Sequence, residues 1–80
     1  MLAKIDVDSE YLTFNEIPNE GKKTLIFDVC SKRHGYPLGQ IRWFNQWRQY
    51  CFYPYPETIF NRTCLKDIDK FIIELVRKTR

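Results

Sequence analysis

The chain predicts an α+β domain: an antiparallel sheet of about four or five strands, run as a hairpin meander, with one C-terminal amphipathic helix packed across one face. Three observations predict it. Short segments between Met1 and Tyr53 alternate in hydrophobicity with the period of a half-buried strand. From Leu65 onward the apolar residues recur at helical spacing instead. The four prolines and three glycines fall where connections are expected.

In chain order, "MLAKIDV" sets Ala3, Ile5 and Val7 on one side and Leu2, Lys4 and Asp6 on the other, a strand pattern. The polar "DSE" then gives a turn. "YLTFNEI" reads as a second strand, with Leu12 and Phe14 on one face. "PNEGKK" is a loop, its turn set by Pro18 and Gly21. "TLIFDVC" is a strand whose buried side is Leu25, Phe27 and Val29, leaving Ile26, Asp28 and Cys30 on the other. "SKRHG" is a turn closed by Gly35.

"YPLGQIRWF" and "WRQYCFY" form a hairpin around Asn45-Gln46, and "PYP" ends the pairing because proline cannot donate to a ladder. A two-residue loop needs positive φ at both central positions, which suits Asn45 better than Gln46. A four-residue loop that takes in Phe44 and Trp47 is the alternative. With the two-residue loop, Trp43 opposes Arg48, and one face carries Ile41, Trp43, Arg48, Tyr50 and Phe52. That face suits the helix, with Arg48 stacked on Trp43 near the sheet end. The other face carries Leu38, Gln40, Arg42, Phe44, Trp47, Gln49, Cys51 and Tyr53.

In the helix, Leu65, Ile68, Phe71, Ile72, Leu75 and Val76 fill one stripe, opposite Lys66, Asp67, Lys70, Glu74, Arg77 and Lys78. Thr63 is the expected N-cap, Asp67 and Asp69 complement the positive end of the dipole, and Glu74 pairs with Lys78.

Eighty residues make one domain with a modest core. The net charge of +3 is unevenly distributed. Residues 1–30 hold three basic and six acidic side chains, residues 31–63 five and one, and residues 64–80 five and three. The aromatic middle is therefore also the basic part. No apolar run approaches the roughly 18–20 residues of a membrane span, so no membrane partner is expected. The N-terminus lacks the layout of a signal peptide. Three cysteines, Cys30, Cys51 and Cys64, then favour reduced thiols in a cytosol. Their spacing, with His34, lacks the Cys-x-x-Cys knuckle of a zinc site. A single histidine, no glycine-rich phosphate loop and no metal-ligand cluster predict a protein that is not an enzyme and carries no cofactor.

Binding is the remaining class. Aromatic rings interleaved with arginine can stack on bases while meeting phosphate. Arg42, Phe44, Trp47, Gln49 and Tyr53 are the candidate ligand-binding residues, with Lys32 and Arg33 of the basic turn as further phosphate contacts. The plain structural reading is that small sheets are rich in aromatics because these pack well on a pleated surface, and that charged turns are solvated.

The run "LGQIRWFNQWRQYCFYP" followed by "TIFNRTCLKDIDKFI" resembles a class of small phage and mobile-element proteins. They share Trp-x-x-x-Trp-Arg-x-Tyr-x-Phe-x-Pro, here Trp43 to Pro54, and then a helix opening with Cys-Leu, here Cys64-Leu65. The match spans Leu38 to Ile72. It carries no catalytic residues and implies an accessory or counter-defence protein that acts by binding. The expected partner is a nucleotide or single-stranded nucleic acid. A host protein bound by the same face, or a homo-oligomer without a small ligand, are the alternatives.

Overall fold

A computed structural model describes residues 5, 7–21 and 23–79. Among the described residues four strands precede one helix: β1 (Leu12–Ile17), β2 (Ile26–Ser31), β3 (Pro37–Phe44), β4 (Gln49–Pro54) and α1 (Arg62–Thr79). The strands lie side by side in chain order, each antiparallel to the next, so the sheet is a meander. The expected α+β class is thus found. The strand expected in "MLAKIDV" falls mostly outside the described residues; Ile5 and Val7 are described, belong to no strand and pack against the core.

Alternation along the strands sends Leu12, Phe14, Phe27, Val29, Ile41, Trp43, Tyr50 and Phe52 to the face that α1 covers. Leu12, Phe27, Val29, Ile41 and Tyr50 are buried there. Tyr50 also satisfies its hydroxyl, which accepts from the Leu25 N–H at 3.2 Å. Gly35, at φ 80°, closes the β2–β3 turn, and its N–H donates to the Ser31 carbonyl at 2.7 Å.

Gly39 lies within β3, inside the strand expected in "YPLGQIRWF". A bulge beside it differs from expectation: Val29 opposes Gly39 but Cys30 opposes Pro37, so Leu38 is an extra residue on β3. The bulge turns Leu38 away from the outer face assigned by simple alternation, and it packs half-buried against the core.

The β3–β4 loop is the four residues Asn45–Arg48, and Phe44 opposes Gln49 while Trp43 opposes Tyr50. Two successive turns bond Trp47 N–H to the Phe44 carbonyl and Arg48 N–H to the Asn45 carbonyl, both at 3.2 Å. Only Arg48 then needs positive φ, at 53°, where a two-residue loop would have demanded it of both Asn45 and Gln46. Arg48 is therefore exposed in the loop and not stacked on Trp43 under the helix. The register differs from the two-residue hairpin by two positions, which preserves the side of every strand residue because the pleat repeats every two.

Helix α1 lies on the core face through Cys64, Ile68, Phe71 and Leu75. Phe71 is stacked on Phe14 at 4.3 Å and meets the edge of Phe27 at 4.8 Å. Just before the helix, Phe60 packs edge-on against Phe52 at 5.1 Å and fixes the entry of the chain.

Several helix assignments are corrected. The N-cap is Asn61, not Thr63: its Oδ1 accepts from the Cys64 N–H at 2.8 Å. With the helix starting at Arg62, its first turn holds no acidic residue, and Asp67 and Asp69 lie beyond the reach of the exposed N–H groups. Asp67 is buried rather than solvated. It accepts from Ser9 Oγ at 2.7 Å, and Ser9 Oγ accepts from the Leu12 N–H, which ties the segment before β1 to the helix. The buried stripe is rotated toward Cys64 and Asp67, so Leu65 and Val76 are exposed. Glu74 pairs with Arg77 at 3.0 Å, one residue nearer than the expected Lys78.

Asn61→Ala is expected to lower stability by about 1 kcal/mol, since the Cys64 N–H loses its acceptor. Urea denaturation would read this, and an equal loss in Thr63→Ala would return the cap to Thr63.

Candidate functional site

The face of the sheet away from α1 is built by the alternate residues. Along β3 these are Gln40, Arg42 and Phe44; along β4 they are Gln49, Cys51 and Tyr53. Cross-strand pairing sets Gln40 beside Tyr53, Arg42 beside Cys51 and Phe44 beside Gln49. The same face extends through Ile26 and Asp28 of β2 to Asn15 and Ile17 of β1.

Within it the aromatic and cationic groups form a connected platform. The Arg42 guanidinium lies over the Tyr53 ring, 4.2 Å from its centroid, as a cation–π contact. Tyr53 meets Phe44 at 6.3 Å, and Phe44 meets the edge-on ring of Trp47 at 4.9 Å. Trp47 projects from the hairpin loop and remains 67% exposed. Its loop position reflects the four-residue turn, yet the contact with Phe44 keeps it at the same end of the sheet. Trp43, on the opposite face, is half-buried, packs edge-on to Tyr50 at 5.3 Å, and donates from Nε1 to Asn45 Oδ1 at 3.4 Å. Five of the expected binding residues, Arg42, Phe44, Trp47, Gln49 and Tyr53, are thus gathered in one place.

Lys32 and Arg33 are not among them. Both lie on the β2–β3 turn, separated from Phe44 by the length of β3, about 25 Å at the rise of an extended strand. Lys32 Nζ donates to the Ser9 carbonyl at 2.8 Å, so it holds the segment before β1. Arg33 lines a cavity of about 530 Å³ with Tyr11, His34, Tyr36, Ile59 and Asn61. There the rings of His34 and Tyr36 are parallel, 5.5 Å apart.

Two residues of the outer face were not singled out from the sequence. Asp28 and Gln40 are cross-strand partners on β2 and β3, and Gln40 Nε2 donates to Asp28 Oδ1 at 3.4 Å. Alternation placed each on an outer face, but only the register brings them together beside Tyr53.

The cysteines are free thiols, and among the described residues no three His, Cys, Asp or Glu side chains gather as a metal site. Cys51 faces outward from β4 while Cys64 is in the core beneath the helix, on the other side of the sheet. Among the described residues no helix is long and apolar enough to cross a membrane.

This sheet-and-helix chain is 32% identical, over 77 residues, to the "Uncharacterized 9.3 kDa protein" of Acholeplasma phage L2. The chain belongs to the family of that phage protein. The alignment takes in 95% of this chain and 99% of the phage protein, so the shared unit is the whole meander and its helix rather than the aromatic hairpin alone. No family model and no solved structure matches the chain. A small phage protein is what the resemblance carried by Leu38 to Ile72 implied, and membership in the phage family now extends over nearly the full length.

Proposed function

We propose that this phage-family protein is a non-enzymatic binding module that captures single-stranded nucleic acid, or a nucleotide unit of it, on the outer face of its sheet. In that role it serves as an accessory or counter-defence factor in the host cytosol. The observation that carries the reading is the platform itself: Arg42 laid on Tyr53, continuous through Phe44 with an exposed Trp47. A tryptophan left in water at the end of a packed aromatic row is costly apolar exposure, and a base stacked on it removes that exposure. The guanidinium, already flattened against a ring, offers both a stacking plane and donors for phosphate. An open face supports a strand better than a free mononucleotide. Small-ligand pockets usually enclose most of their ligand, whereas a strand gathers affinity from successive weak contacts.

The same residue types are those that dominate protein–protein hot spots, so an inhibitor docking a host protein through this face is the second reading. Ionic strength separates the two. Arg42 and Arg48 are the cations of the β3–β4 hairpin, and two phosphate contacts on a single strand give a slope of about −1.4 in log K against log salt. A protein interface centred on Trp47 responds less steeply.

Titrating the protein with a single-stranded oligonucleotide while following tryptophan emission tests the reading. Binding should quench Trp47. Trp47→Ala should weaken binding by about 1–3 kcal/mol with the melting temperature nearly unchanged. Arg42→Ala should weaken it and reduce the salt slope by about 0.7. A Trp47→Ala protein that binds as tightly as the wild type would remove the platform from the site.

A further inference from the structure

Beside the platform, one row of polar side chains crosses the whole sheet. The register places Asn15 opposite Asp28, Asp28 opposite Gln40, and Gln40 opposite Tyr53. A carboxylate in the middle of a face suited to a polyanion is electrostatically unfavourable, so Asp28 calls for an explanation of its own. Its one hydrogen bond among the described residues, from Gln40, is 3.4 Å long and therefore weak. Asp28 Oδ2 accepts none among the described residues, and Gln40 Nε2 has a second proton to donate. Both side chains are half-buried, and Gln40 stands next to the ring that carries Arg42.

We infer that Gln40 and Asp28 read the base held on this face and select guanine. The inference rests on the nucleic-acid reading given above. Read from Tyr53 outward, the pair presents a donor, then two acceptors: Gln40 Nε2–H, Asp28 Oδ1 and Asp28 Oδ2. The Watson–Crick edge of guanine presents the complement in the same order: the O6 acceptor, the N1–H donor and the N2–H donor. Hypoxanthine keeps the first two and lacks the third. Thymine matches two and opposes its O2 to a carboxylate oxygen. Adenine and cytosine begin with an amino donor and follow it with an acceptor, opposing like to like at both positions. Single strands expose this edge, and partly buried polar groups left unmatched by a wrong base make the discrimination large.

The test uses labelled single strands of ten deoxyadenosines in which one central base is replaced by guanine, hypoxanthine, thymine or cytosine, with fluorescence anisotropy as the readout. Wild-type protein should bind the dG strand at least about fivefold more tightly than the dA or dC strands, with hypoxanthine between. Asp28→Asn exchanges one acceptor for a donor and removes a negative charge; it should erase the preference for the dG strand, with binding of the unsubstituted strand no weaker than in the wild type. Gln40→Met removes the donor facing O6 without placing a second carboxylate against Asp28, and should lower the preference; it keeps the inference open to failure if Asp28→Asn does not fold. Equal binding of all strands by wild type overturns the base reading while leaving the stacking platform standing. A guanine preference that survives Asp28→Asn, or Gln40→Met where only that variant folds, also overturns it. No binding of any strand up to about 100 µM, the weak end of non-specific affinity, overturns both this inference and the function it rests on.

Discussion

Phe71→Ala is expected to cost about 3–5 kcal/mol of stability. The ring is 1% exposed and lies between Phe14 and Phe27, so it joins α1 to the first two strands at once. Deleting it removes the transfer energy of the side chain. It also leaves a void that two aromatic rings and the backbone around them cannot easily fill, since cores are packed nearly as densely as organic crystals. A small domain has about 5 kcal/mol or little more in hand, so the variant should be largely unfolded or close to it at ambient temperature. Urea denaturation monitored by circular dichroism would show the midpoint collapsing toward zero denaturant. A loss below about 1 kcal/mol would mean that the helix is not seated on β1 and β2 through this residue. Ile72, at the centre of the stripe drawn from the sequence, is only half-buried and should cost less.

The second large effect is expected at Gly39. A methyl group added there would lie 2.6 Å from the Tyr53 carbonyl oxygen and 2.8 Å from the nearest atom of the Phe52 ring. The oxygen belongs to the β4 backbone, and the ring is held by Phe60, so neither yields by rotating a free side chain. Alanine in place of a strand glycine ordinarily stabilises by roughly 0.5–1 kcal/mol through the unfolded chain. Overpacking of this severity costs about 1–3 kcal/mol, so the clash prevails. Gly39→Ala should therefore lower the melting temperature by roughly 5–10 °C. It should also weaken the nucleic-acid binding proposed above, because the displaced backbone carries Tyr53. A variant that melts at or above wild type would show that β3 and β4 are not as close at this point as their pairing requires.

The position of Gly39 illustrates where reading the sequence stops. Inside "YPLGQIRWF", two residues after Pro37, it read as one more strand position, and nothing nearby showed why it is a glycine. Its actual role depends on Tyr53 and Phe52, which are more than ten positions away along the chain and adjacent only through the sheet. The same limit applied to Asp67. Charge and helical spacing assigned it to solvent, whereas a serine 58 residues earlier supplies the bond that allows its burial. Leu38 was misplaced for a related reason: alternation is a local rule, and a bulge breaks it at a point that only the partner strand reveals.

The hairpin shows the opposite outcome. Its loop was expected to be two residues shorter than it is, and Arg48 went to the wrong place in consequence. The two faces were nevertheless assigned correctly for Ile41, Trp43, Tyr50 and Phe52 on one side and Arg42, Phe44, Gln49 and Tyr53 on the other. The period of a strand is two, so an error of two in register leaves every side unchanged, where an error of one would have exchanged core and surface.

By itself, then, the sequence determined the periodicities from Leu12 onward: which segments are strands, which one is the helix, and which side of each strand is apolar enough to be covered. Those are properties of neighbours a few positions apart, fixed by backbone geometry and the cost of leaving apolar surface in water. Only the tertiary structure decided the distances between groups remote in the chain. It laid Arg42 on Tyr53, set Asp28 beside Gln40, and moved Lys32 and Arg33 to the far end of the sheet. Each of these follows from register and from the packing of α1. Both are selected by the sum of many contacts across the fold, and no short stretch of sequence contains that sum.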